Sequence, residues 1–370
     1  MTELAALQGK LREFAESGEV AASPLYAHLA AQAAEDTEIA GLLTATAPED
    51  AVPTLLLAAA HRLVIAEPIS DLAEYYPSVG GTHGVDEQVW GTFRSFVLDR
   101  ADRMRELIGT RVVQTNEVRR AAAAYPAVAL AAREAGGPIG LLEVGCSAGL
   151  LLGMDAYGYR YTLGQSDQLT GGPVRSPLVL TADLALGTGA GKPKVPKKLH
   201  LSAKVGLDRH PVDVADEDEL AWLEACIWAD QPERLRRFGL AASLVRAKPP
   251  ELVTGDAVEG IEEAAERIPE HLPLVVLSSH VLAYLDEERR AAFSARIAEL
   301  GARRQLWWVS KEANDAGLDT VFGERARLDH TRPENCAVGM ARYPGNPNGR
   351  VDVEVLATAT SHGDSLTWLV

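Results

Sequence analysis

The sequence is poor in the features that would carry it out of the cytosol or onto a nucleic acid. Its three cysteines in 370 residues, Cys146, Cys226 and Cys336, lie far apart, which excludes a disulfide framework and a CxxC metal knuckle. Basic residues are the minority, 36 against 52 acidic, for a formal net charge of −16. That field repels phosphate backbones and anionic membranes, so no nucleic-acid partner is expected. Long apolar runs are missing too. AAAAYPAVALAA (121–132) and LPLVVLSSHVLAYL (272–285) fall short of the ~20 residues that span a bilayer. The opening MTELAALQGKLREFAE alternates apolar and charged residues like an amphipathic helix and lacks the layout of a signal peptide. The expectation is a soluble, cytoplasmic protein with no membrane partner. Its composition, 47% hydrophobic and 24% charged, is that of a globular chain with a sizeable core, long enough for about two domains of roughly 150 residues.

Residues 1–135 carry helical periodicity almost throughout. In 86–109, Val89, Trp90, Phe93, Phe96, Val97, Met104, Leu107 and Ile108 recur at steps of three and four, predicting one helix started by Asp86 and stopped by Gly109. The Pro- and Gly-rich YYPSVGGTHGVDE (75–87) reads as a loop. A short extended piece from 111 then leads into an Ala-rich helix that stops at Gly136–Gly137. From 138 the period changes. The run LLEV enters a Gly/Ser/Ala turn from which an apolar helix is expected to leave. Three further apolar runs, ELVTGD (251–256), LPLVVLSS (272–279) and RQLWWVS (304–310), are spaced as strands of an alternating α/β sheet. Between them, Asp216 and Glu219 form a capping-box spacing, and a second helix runs from Pro232 to the Pro249–Pro250 stop. VDVEVLATATSHGDSLTWLV (351–370) predicts a C-terminal antiparallel hairpin. Residues 160–205 fit as an insertion; its Lys192, Lys194, Lys197 and Lys198 are either a solvated surface loop or a contact for an anionic ligand.

The richest segment is Leu141-Leu142-Glu143-Val144-Gly145-Cys146-Ser147-Ala148-Gly149-Leu150. A strand ending in an acid, followed by small residues at alternate positions, lets backbone approach a nucleotide-like ligand. The pattern Glu-x-Gly-x-Ser-x-Gly resembles the first motif of S-adenosylmethionine-dependent methyltransferases with a Rossmann-like sheet. That resemblance implies S-adenosylmethionine as cofactor, with room made for it by Gly145, Ser147 and Gly149, and Glu143 near its amino group. The same residues also match the G-x-S-x-G nucleophile elbow of α/β-hydrolases, with Ser147 as nucleophile, an acid such as Asp256, and His280 or His362 as base. Under the methyltransferase reading, the second strand ends in a ribose-binding acid, either Asp167 at the usual spacing of about 20 residues or Asp208 beyond the insertion. The third ends in Asp256-Ala257 for adenine. Each of these acids serves equally well as a turn or helix cap. The fourth strand ends at Ser278-Ser279-His280, where His280 is either the general base, with Tyr284 one helical turn later, or a core histidine. Asn116 and Arg119, in QTNEVRR (114–120), either cap the cofactor carboxylate or start a helix. His83 and His362 are candidate pocket residues, and no spacing supports a metal site.

Five stretches, QTNEVRRAA (114–122), LLEVGCSAGL (141–150), GLDRHPVDVADEDELAWLEACIWADQPERLRR (206–237), PPELVTGDAV (249–258) and VLSSHVLAYLDEERRAAF (276–293), resemble an uncharacterised bacterial family known only as domain of unknown function 2332. The family looks like a methyltransferase relative. This chain has Asp208-Arg209-His210-Pro211 where that family implies Asp-Leu-x-Pro. The combined expectation is an α/β protein: a helical N-terminal domain (1–135) beside a class I methyltransferase-like, mostly parallel sheet (136–370) with a terminal antiparallel hairpin, moving a methyl group to a small-molecule acceptor. A serine hydrolase and a non-catalytic ligand-binding or regulatory protein are the alternatives.

Overall fold

The computed structural model describes residues 3–18, 20–313, 316 and 335–370. The chain divides into two compact units, Met1–Asn116 with Ala215–Phe238, and Glu117–Val214 with Gly239–Val370.

The first unit is helical: α1 (Glu3–Glu16), α2 (Pro24–Glu35), α3 (Thr37–Gly41), α4 (Pro53–Ala66), α5 (Val89–Leu98) and α6 (Ala101–Thr110). The single helix expected over 86–109 is two. Asp86 does cap the start, accepting the Gln88 and Val89 N–H groups at 2.9 and 3.0 Å. The break comes at Arg100. Its guanidinium donates to the Phe96 carbonyl at 3.0 Å, the acceptor a continuing helix would use, while its own N–H turns to Val97 O. Val89, Phe93, Phe96, Val97, Met104 and Ile108 are buried as the periodicity requires. The helical unit also takes in a later segment, α8 (Glu217–Ala225), capped by Asp216 as the sequence predicts. Arg62 and Arg111 pair with Asp218, and buried His61 bonds the Ala225 carbonyl at 3.1 Å.

The second unit is built on one sheet. In chain order its strands are β1 (Ile139–Val144), β2 (Gly158–Leu163), β3 (Asp167–Gly171), β4 (Val179–Leu186), β5 (Leu201–Asp208), β6 (Glu251–Thr254), β7 (Leu274–Ser279), β8 (Gln305–Ala313), β9 (Asn335–Pro344), β10 (Asp352–Thr360) and β11 (Ser365–Trp368). In space they run β3-β2-β4-β11-β10-β9-β8-β7-β1-β5-β6. The block β6-β5-β1-β7-β8 is parallel throughout, and β8-β9-β10-β11 is an antiparallel meander ending in the expected hairpin. The insertion becomes three strands, joined to the sheet where β4 lies parallel to β11. Relative to β1, the chain moves one way through β5 and β6 and the other way through β7 and β8. The switch point therefore lies between β1 and β7, and open α/β sheets bind ligands outside the strand C-termini at such a point.

Helices cover both faces. α7 (Arg120–Ala135) packs on β7, β8, β9 and β4, so it belongs to the sheet rather than to the helical cover. It ends, as expected, at left-handed Gly136. On the other side α10 (Ile261–Glu266) and α11 (Glu287–Arg303) bury Ile261, Phe293 and Ile297 against Leu142, Val205, Val276 and Trp308. Strand alternation then assigns faces: Leu142 and Val144 lie under α10 and α11, and Glu143 on the α7 face. All six β1 residues are buried, as for a strand covered on both sides. α9 (Pro232–Ala247) runs as predicted. No helix among the described residues is long and apolar enough to cross a membrane.

Candidate functional site at the sheet switch point

After β1 no α-helix forms. Gly145, Ser147 and Gly149 all have left-handed backbone, with φ of 73°, 49° and 64°, and alternate left-handed residues cannot propagate a right-handed helix. Only a 3-10 turn, Leu151–Gly153, follows. The expected helix N-terminus is therefore absent from the site. The turn is braced from β5: the Asp208 carboxylate accepts the Ser147 N–H at 2.8 Å and the His210 N–H at 2.9 Å. The glycines accommodate protein rather than open space. A Cβ on Gly145 would meet Val281 Cγ2 at 2.7 Å, and one on Gly149 would meet Pro250 Cγ at 3.0 Å.

Among the described residues, Ser147 and His280 are the two non-glycine positions with positive φ, 49° and 57°. They sit just beyond the C-terminal ends of β1 and β7, on either side of the switch point. Left-handed non-glycine backbone costs energy and gathers at functional sites.

The α7 face above these strand ends carries an unusual density of buried polar groups. Glu143 is 3% exposed, and its Oε2 has no hydrogen-bond partner. Burial, reinforced by Asp208, pushes its carboxyl well above the usual range. Ser279 Oγ is likewise enclosed and unpartnered. Lys311 is 0% exposed; its Nζ donates to His280 Nε2 at 3.0 Å and to the Ser361 carbonyl at 2.9 Å. Cys336 Sγ lies 3.6 Å from the same imidazole nitrogen. Because Nε2 accepts from lysine, the ring is neutral with its proton on Nδ1. Burial, with Arg120 and Lys311 close by, pushes the imidazole down to about 2, and burial pushes the Lys311 ammonium down to about 8. Glu312, on the opposite face, accepts the Val281 and Leu282 N–H groups at 3.1 and 3.2 Å and rises through burial to about 7. Glu117, buried at the approach to α7, lies 3.6 Å from His362 Nδ1.

The structure thus brings Glu143, Ser147, Asp208, His280 and His362 to one edge of the sheet unit, with Arg119 directly before α7. The other expected residues do different things. Asp256 is held by Arg209, at 2.9 and 2.5 Å, by Arg289 and by the Val258 N–H. Burial opposes ionisation, but Glu259, that N–H and Arg209 keep the carboxyl well below the usual range. Ala257 is a half-buried packing residue. Ser278 lies on the α11 face, bonded to Trp308 Nε1 at 3.0 Å and Ser310 Oγ at 3.3 Å. Asp167 begins the outermost strand and pairs with Lys192, several strands away from the β1 turn that Asp208 braces. Lys197 bonds Thr170 on that same edge strand. Tyr284 ends a 3-10 turn and is 83% exposed, so the helical stagger expected with His280 does not form. Asn116 and His83 belong to the helical unit, where the His83 ring meets Tyr75 edge-on at 5.3 Å. Sequence reading missed Arg120, Ser279, Lys311, Glu312 and Cys336. The available signal was Lys311-Glu312, an ionisable pair directly continuing the apolar run RQLWWVS.

A mostly parallel α/β sheet unit with a strained, polar switch point, accompanied by a helical unit, is the class of protein this structure defines. A family model described as an uncharacterized protein conserved in bacteria (DUF2332) matches residues 8–368, and the chain belongs to that family. No curated protein matches it.

Proposed function

We propose that the chain binds S-adenosylmethionine at the β1–β7 switch point and transfers its methyl group to a small acceptor. The observation that carries this reading is the enclosed Glu143 Oε2, a carboxylate oxygen with no partner at the end of the central strand. An isolated buried carboxyl stays protonated, whereas a cation at this position draws it into the ionised form and completes its hydrogen bonding. The parallel order β6-β5-β1-β7-β8 is the 3-2-1-4-5 order of Rossmann-like sheets, and the β1 turn has that fold's pattern of small residues.

The fit is narrower than a full cofactor cradle. Glu143 suits the amino group, and the Gly145–Ser147 backbone lies beside it. Asp208 holds the turn with both oxygens, and Asp256 is spent on two arginines. The bound cofactor supplies an electrophilic methyl on a cationic sulfur. The protein's part is to orient the acceptor and exclude water. An imidazole held near 2 is a weak base, so the reading fits an acceptor that attacks through a free electron pair and releases its proton to bulk water after transfer.

Calorimetry with S-adenosylmethionine and its demethylated product tests this. The expected dissociation constant is about micromolar, weakened at least about tenfold in Glu143→Gln. No binding at millimolar ligand overturns the reading. Binding without any methylated product from a metabolite extract makes the chain a regulatory binder. The left-handed Ser147 within G-x-S-x-G supports a second reading, a serine hydrolase. Labelling of Ser147 by a fluorophosphonate is its test.

A further inference from the structure

The whole molecule is strongly acidic, yet two cationic side chains, Arg120 and Lys311, come together on the α7 face beside Glu143. Arg120, the first residue of α7, has an enclosed Nε with no hydrogen-bond partner, and no hydrogen bond or ion pair engages its side chain among the described residues. It lies within electrostatic reach of Glu143, His280, Lys311, Glu312 and Cys336, which places it over the ends of β1, β7, β8 and the start of β9. Glu117 is the carboxylate that most offsets its charge. Glu312 is occupied by two backbone N–H groups on the other face, and Glu117 lies by His362 and accepts the Arg119 N–H at 3.0 Å. The guanidinium is half-buried, and its enclosed Nε has no acceptor within the described protein, so a ligand that brings one gains a charge-assisted hydrogen bond there. A second ammonium, Lys311, lies close by, and the Ser279 hydroxyl is a further unpartnered donor on the same face.

We propose that this cluster binds the carboxylate of a small-molecule ligand, with Arg120 as its counter-ion and Lys311 as the second positive charge, and that the ligand is the acceptor of the transferred group. The last clause rests on the methyl-transfer reading; the carboxylate site does not. The planar guanidinium matches a carboxylate in a two-pronged pair that an ammonium does not reproduce. The assignment also reverses what the net charge alone implies. A field of −16 favours neutral or basic acceptors, whereas the Arg120–Lys311 pair selects an acidic one at short range.

The test uses the full chain and malonate as probe, titrated by thermal shift and calorimetry against chloride at matched ionic strength. Malonate is expected to bind and stabilise the wild type. Arg120→Met is expected to lose at least about tenfold in malonate affinity, with Arg120→Lys intermediate. Circular dichroism checks that both variants fold, and Lys311→Met, expected to weaken malonate as well, substitutes if Arg120→Met does not. Malonate acting no better than chloride, or binding Arg120→Met as tightly as wild type, overturns the site. The demethylated cofactor product and methylthioadenosine, which lacks the carboxylate, identify the source. Unchanged product affinity in Arg120→Met supports the acceptor. A tenfold loss for the product alone assigns the carboxylate to the cofactor and overturns the acceptor assignment. Malonate binding that needs Arg120, in a chain that ignores the cofactor, keeps the carboxylate site and removes the methyl-transfer reading instead.

Discussion

At the scale of single residues, the β1 turn shows two constraints acting on one atom. Gly145 has a φ of 73°, and a methyl group there would press on Val281 Cγ2 at 2.7 Å. The first cost is intrinsic to any L side chain, about 1–2 kcal/mol. The second is overpacking, about 1–3 kcal/mol. Gly145→Ala should therefore lower stability by about 2–5 kcal/mol in chemical denaturation. Adding Val281→Ala should recover the steric part and leave the backbone part. A loss below about 0.5 kcal/mol in the single variant would mean that the turn is not held as described. Glycine at 145 is thus required by the protein's own packing, whatever the site binds.

At the scale of elements, Asp208 links β5 to the β1 turn through two backbone N–H groups. Asp208→Ala leaves both donors unsatisfied and should cost about 1–3 kcal/mol; binding of adenosine-containing ligands should weaken only in step with the loosened turn. A variant with wild-type stability and abolished ligand binding would instead identify Asp208 as a direct contact. The same element shows what was legible in sequence. Strands β1, β6, β7 and β8, the terminal hairpin and the C-terminal end of α7 follow from periodicity and from turn residues, because one buried face or a left-handed glycine leaves a local mark. The missing helix after β1 left only a faint one: GLLLGMDAYG is apolar enough for a helix, and what prevents it is three left-handed residues whose φ angles depend on Asp208, Val281 and Pro250, all distant in the chain. The pairing of β4 with β11 joins residues 179–186 to 365–368, a partnership with no local signature. The site was half legible for the same reason. Glu143, Ser147 and His280 sit in recognisable motifs, whereas Arg120 and Lys311 become unusual only when the sheet buries them.

At the scale of the whole molecule, buried titratable groups couple stability to pH, and the helical unit offers the clearest case. His61 is fully enclosed between the Ala225 carbonyl and Ser78 Oγ, at 3.1 and 2.8 Å, and burial lowers its imidazole from 6.5 to about 4. The folded-state value lies below the unfolded one. Above pH 6.5 neither state takes the proton, so the histidine imposes no pH-dependent cost. As pH falls from 6.5 towards 4, the unfolded chain is protonated first and stability drops, by about 1.4 kcal/mol per pH unit and about 3 kcal/mol in all. Glu312 in the sheet unit works in the opposite direction. Raised from 4.5 to about 7, it contributes most below pH 4.5, and that contribution is lost as pH rises through 7. A whole-chain melt mixes these opposed slopes, so the difference between wild type and a His61→Gln variant is the quantity to measure. The variant loses packing at every pH but has no proton to gain. Urea denaturation at pH 7, 5.5 and 4 should show wild type ahead at neutrality, with the gap shrinking by about 3 kcal/mol by pH 4. A gap that stays constant across that range would mean His61 is protonated in the folded protein, and the enclosed neutral imidazole would have to be abandoned.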